Sequence, residues 1–116
     1  MNFPIGSLIG VIIILALIVG SINYYNERAE PLDGDEVKYA GEWHGKNGTI
    51  ITIRESGTGD YETSGKSFSF ALVSIEDDVL EMDLLITNEV FEINASPFES
   101  EDGTMMVVNG EEFIKK

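Results

Sequence analysis

The chain has no cysteine, so disulfides, thiolate metal sites and cysteine nucleophiles are all excluded. It has one histidine, His44, which leaves a Ser-His-Asp triad or a multi-histidine metal centre a single imidazole to work with. Basic residues are scarce, seven against 21 acids, for a formal net charge of −14. A surface so charged repels nucleic acid phosphates and anionic headgroups, and it suits solubility, cations or a basic partner. Prolines number three and the single tryptophan is Trp43. No Gly-rich phosphate loop, Gly-x-Ser-x-Gly elbow or His-Glu-x-x-His occurs, and no acid pair stands out among 21. Enzymatic activity and a bound cofactor are therefore not expected.

The charge is also missing from one place in particular. Residues 1–26 carry no charged side chain. Within them, residues 5–22 read IGSLIGVIIILALIVGSI, with nothing more polar than Ser. As a helix this run is about 27 Å long, close to the ~30 Å hydrocarbon core of a bilayer. A secretory signal wants a basic n-region and a shorter apolar stretch, and Met1-Asn2-Phe3-Pro4 supplies no base. Val19 and Ser21 allow a cleavage site as an alternative, but Tyr24 and Tyr25 fit the aromatic belt at a membrane interface. The expectation is a short tail at 1–4, a retained single-pass transmembrane helix at 5–22 and the lipid bilayer as first partner. Gly6 and Gly10, then Ala16 and Gly20, place small residues four apart, a spacing that favours helix–helix contact in lipid.

Residues 23–38, NYYNERAEPLDGDEVK, show no apolar face and read as an acidic juxtamembrane linker. A flexible stretch of that length would set the following domain roughly 20–25 Å from the anchor. From Tyr39 on, period-2 alternation takes over. Asn47-Gly48 and Asn109-Gly110 are hairpin signals, because both residue types tolerate φ > 0. Gly57-Thr58-Gly59, Ser64-Gly65 and Glu76-Asp77-Asp78 mark further turns, and residues 95–103, with Pro97, read as a polar loop. On 67–74, Phe68, Phe70 and Leu72 fall on one face; on 79–85, Leu80, Met82 and Leu84 do so. The fold expected over 39–116 is all-β: a small antiparallel meander or barrel of seven to eight short strands. Trp43, Tyr61, Phe68, Phe70, Phe91 and Phe113 supply its expected structural core.

Three acidic clusters, Asp33–Glu36, Glu76–Asp78 and Glu99–Gly103, lack the spacing of a calcium loop and read as turn formers and solvated charge. His44 alternates with Trp43 and falls on the solvated face. Asn47-Gly48-Thr49 formally matches a glycosylation acceptor but doubles as a hairpin turn, and Asn94-Ala95-Ser96 is followed by Pro97.

The stretch Gly41-Glu42-Trp43-His44-Gly45, then TIITI, then Gly57-Thr58-Gly59-Asp60-Tyr61, resembles the opening of small lipocalin-like (calycin-like) domains. The likeness runs loosely over 40–114. It implies a barrel with Trp43 as a plug at the closed end, and a location outside the cytoplasm. Arg28 and Lys38 after the apolar run lean the other way under the positive-inside rule; the resemblance tips the reading toward an extracytoplasmic domain. The functional expectation is a membrane-anchored, non-catalytic binding or interaction module with a basic protein partner. The alternatives are an accessory subunit of a membrane complex, assembled through the helix, and a lipocalin-like small-ligand binder.

Overall fold

The computed structural model describes residues 29–116. The transmembrane helix expected at 5–22, its small-residue contacts Gly6, Gly10, Ala16 and Gly20, and residues 23–28 of the linker expected at 23–38 lie outside the described residues. Among residues 29–116 no helix is long and apolar enough to cross a membrane.

Eight antiparallel strands close into a barrel in strict chain order. They are β1 (Gly41–Gly45), β2 (Ile50–Ile53), β3 (Thr58–Thr63), β4 (Lys66–Glu76), β5 (Val79–Asp83), β6 (Asn88–Ser100), β7 (Gly103–Val108) and β8 (Glu111–Lys115). Closure is made by β1 on β8, with Trp43 opposite Lys115 and Gly45 opposite Phe113. Closing the sheet leaves no unpaired edge to template association with another chain. Chain-order topology also sorts the connections. The turns at 46–49, 64–65, 84–87 and 109–110 lie at one end, and those at 54–57, 77–78 and 101–102 at the other.

The turns follow local chemistry. Asn109 and Gly110 have φ of 51° and 75°, the pair of left-handed residues that a tight two-residue hairpin needs. Asp77 and Asp78 do the same with φ of 53° and 61°. Asn47-Gly48 sits in a longer loop, where Asn47 Oδ1 accepts the Thr49 N–H at 3.2 Å. The expected turn at Gly57-Thr58-Gly59 is displaced by a step: Thr58 and Gly59 already pair in β3, and only Gly57 (φ 91°) belongs to the turn.

Inside, Trp43, Ile51, Ile53, Leu80, Met82, Met106 and Val108 are fully buried and fill the section between the two ends. An eight-stranded barrel is just wide enough for side chains to occupy its interior. Two strands are longer than the alternation foretold, β4 and β6, at 11 and 13 residues. The loop expected around Pro97 is the second half of β6; register shifts at Ile93/Ala95 and Ala95/Phe98 carry the chain past the proline, which cannot donate to a ladder.

Phe70 departs from the expected core. A bulge between Gly59 and Tyr61 places one residue, Asp60, opposite Ser69 and Phe70. The extra residue reverses the in–out phase of β4. Phe68 stays against the core, Phe70 turns outward at φ 59° and 59% exposure, and Ala71 and Val73 take the inward places expected for Phe70 and Leu72.

The expected linker is partly structured. Leu32 donates its N–H to the Glu55 carbonyl at 2.8 Å and packs on the core. A 3₁₀ helix, Gly34–Tyr39, follows; at its start Glu36 Oε1 accepts the Asp33 N–H at 3.2 Å. Tyr39 is buried, and its carbonyl accepts the Trp43 Nε1–H at 2.8 Å. Residues 30–40 thus lie along the barrel rather than spacing it from an anchor, and the 20–25 Å estimate, built on a free linker, does not apply.

Candidate functional site

The two barrel ends differ in how they are finished. At the end where residues 30–40 enter, Trp43 is wholly buried beneath the 3₁₀ helix. Lys115 lies across it: its ammonium sits 4.9 Å from the Trp43 ring and donates to the Lys38 carbonyl at 3.1 Å. This end is sealed.

The opposite end is open. A mouth of about 270 Å³ is walled by Ile51, Tyr61, Phe91, Val108 and Phe113, with Asn47 and Asn109 at its edge. Tyr61 organises the aromatic wall, with ring centroids 5.3 Å from Phe91 and 5.4 Å from Phe68 in tilted contacts. Above these apolar positions the inward face becomes polar. Thr49 precedes inward Ile51 by two residues and Thr63 follows Tyr61 by two, and their hydroxyls meet at 3.1 Å across β2 and β3.

Glu111 shares the face of buried Phe113 two residues on, so β8 directs a carboxylate to the mouth. It is half-buried and lies over Gly45 on the neighbouring strand; a Cβ at that glycine would come within 2.6 Å of Glu111 Oε2. Gly45 is the vacancy that accommodates this side chain. The two lysines near this end are paired: Lys66 with Glu89, and Lys46 with Glu112 at 3.4 Å. Glu111 has no ion-pair partner among the described residues and is the one charged group lining the mouth.

The residues singled out in the sequence distribute unevenly over this geometry. Tyr61, Phe91 and Phe113 line the mouth, Phe68 backs Tyr61, Trp43 lies under the sealed end and Phe70 is outside. His44 is on the outer face, its Nε2 2.6 Å from Glu42 Oε1. Asn94, in β6, braces the 109–110 turn, its Oδ1 accepting the Gly110 N–H at 2.7 Å. The three acidic clusters remain at the sealed end, and among the described residues no group of three or more candidate ligands could hold a metal ion. Glu111, Thr49 and Thr63 escaped attention in the sequence. The available signal was parity: each lies two positions from an apolar inward residue at the end of its strand.

Leu85 and Ile86, 58% and 92% exposed, sit in the β5–β6 connection at the open end as well. Comparison with protein-family models, with curated proteins and with solved structures finds no match for this chain.

Proposed function

We propose that this protein is a membrane-anchored, non-catalytic binding module that presents the open end of its barrel to a cationic or basic partner. The observation that carries the reading is the asymmetry of the ends. The chain enters at the sealed end, where Leu32 and Tyr39 are packed, so the mouth and the apolar 84–87 loop are at the end remote from the entry point. Residues 23–29, between the apolar run and the packed segment, reach at most about 25 Å even when fully extended. An anchor at 5–22 therefore keeps the barrel near the bilayer with its mouth available. The net charge of −14 adds long-range attraction for a basic partner and discourages anionic surfaces. A closed up-and-down barrel with Trp43 under a sealed end is the architecture that the lipocalin-like resemblance implies, and the proposal takes its extracytoplasmic location from that resemblance.

Photocrosslinking in cells tests the proposal. A photoreactive residue replacing Asn109, at the mouth, should yield a partner adduct that fades with rising salt. The same residue replacing Asp77, at the sealed end, should not. Adducts formed only from positions such as Gly6 or Gly10 would instead favour the accessory-subunit alternative. A cysteine replacing exposed Glu101 in this cysteine-free chain reports sidedness. Labelling of intact cells by an impermeant maleimide is expected, and labelling only after lysis would move the domain to the cytoplasm.

A further inference from the structure

Resting on the reading of the open end as the binding end, we infer that the mouth is a recognition site for a single organic ammonium group carried on a compact apolar stem. Three features converge on this chemistry. The wall is built from the rings of Tyr61, Phe91 and Phe113, and aromatic rings attract cations as well as apolar groups. The lining contains one carboxylate, Glu111, and no lysine or arginine, so the mouth carries a negative charge with no internal counter-ion. Gly45 makes room for that carboxylate on the inward side; a side chain at 45 would displace it.

The remaining polar groups fit the same ligand. Thr49 and Thr63 bond each other through their hydroxyls at 3.1 Å and still offer acceptor lone pairs to an ammonium. Lys66 is held by Glu89, which keeps the nearest cation of β4 from neutralising Glu111. Size limits the ligand. The mouth, at about 270 Å³, falls just under the range of ordinary small-molecule pockets, and the packed interior beneath it blocks deeper entry. An anion or a long acyl chain is excluded by charge and by depth respectively.

A free amine and a lysine side chain of a protein partner share this chemistry. The full-length chain in nanodiscs, with isotope-labelled isoleucine and valine methyl groups, distinguishes them and tests the inference. Phenethylammonium should shift Ile51 and Val108 at the mouth, leaving Ile53 toward the sealed end unmoved. Its neutral counterpart 2-phenylethanol should bind about tenfold or more weakly, and phenylacetate should produce no shift. Glu111→Gln should reduce the amine to the affinity of the alcohol, and Thr63→Trp, which fills the mouth, should abolish both. A short peptide with one central lysine that binds more tightly than phenethylammonium assigns the natural source to a protein; the reverse order assigns it to a free amine.

Equal binding of amine and alcohol by the native chain overturns the ammonium assignment while leaving the open end as a binding end, and this comparison needs no variant. Undiminished amine binding in Glu111→Gln overturns it in the same way. Absence of mouth shifts with every probe removes both the inference and the reading on which it rests.

Discussion

Asp60 holds Phe70 in the left-handed conformation: its Oδ1 accepts the Phe70 N–H at 3.0 Å across the β3–β4 bulge, while its other oxygen binds Arg54. Arg54 in turn lies 5.0 Å from the centroid of the Phe70 ring. The bulge thus carries its own clamp, made of a carboxylate that accepts from a backbone amide and a guanidinium that covers the aromatic. The clamp matters because the bulge sets the phase of β4, and with it which residues enter the core.

Asp60→Ala should therefore destabilise the barrel by about 1–3 kcal/mol, through loss of a charge-assisted backbone bond and of the Arg54 partner. Phe70→Gly should change stability by less than about 1 kcal/mol, because relief of the positive φ offsets the lost contact with Arg54. Thermal melts of the full chain, followed by the emission of its only tryptophan, measure both. Equal losses in the two variants would show that the Phe70 side chain, rather than the Asp60 clamp, maintains the bulge.

Trp43 is the second point of leverage. It is wholly buried, donates to the Tyr39 carbonyl and lies under Lys115. Trp43→Phe removes the donor and leaves the Tyr39 carbonyl without its partner, at a cost of about 1–3 kcal/mol. Trp43→Ala adds a cavity and should cost about 3–5 kcal/mol, a large share of the stability of so small a domain. The outcomes are read as a lowered melting temperature for the first and loss of the cooperative circular-dichroism transition for the second. A Trp43→Ala chain that melts like the native one would mean that the sealed end contributes little to the fold.

Alternation, turn residues and the two Asn-Gly pairs make an antiparallel all-β domain readable in the sequence, because each is a local rule. Three features required pairing information. The outward turn of Phe70 depends on a bulge whose cause, Asp60, is on the preceding strand. The length of β6 was hidden by Pro97, which reads as a strand breaker unless the register shifts before it and around it are known. The sealed end depends on residues 30–40 finding the 54–57 turn and β6, contacts that no periodicity in the segment announces. Aromatic members of the mouth were visible as core candidates, but Glu111 needed a closed barrel before its parity had meaning, since only closure brings β8 beside Gly45 of β1.

The packed entry segment depends on a glycine. Gly57 has φ 91°, and a Cβ there would collide with the Glu30 carbonyl that crosses it. Gly57→Ala should thus lift residues 30–32 from the barrel and strain the 54–57 turn, costing about 1 kcal/mol or more. Hydrogen exchange locates the effect: the Leu32 amide, bonded to the Glu55 carbonyl, should lose protection before the strand amides of β6 and β7. Unchanged Leu32 protection would show that the segment docks without needing this close approach.

Alkaline pH should act on the sealed end through Tyr39. Burial is the main cause that raises its phenol above the ordinary 10.0; the charge of Asp78 adds to the rise, and a hydrogen bond with Ser96 opposes it. Lys38 is also near, its ammonium 5.8 Å from the ring centroid. Because the folded value lies above the unfolded one, the neutral phenol's contribution to stability is fully present below pH 10.0 and is lost as pH rises through the folded value. Wild-type melting temperature should consequently fall more steeply above that pH than the melting temperature of Tyr39→Phe, which has no phenol to ionise. Lys38 is present in both proteins, so the difference between their pH profiles isolates the phenol. Parallel profiles up to pH 11.5 would show that ionised Tyr39 is tolerated, and that the sealed end admits water more freely than the burial of this ring implies.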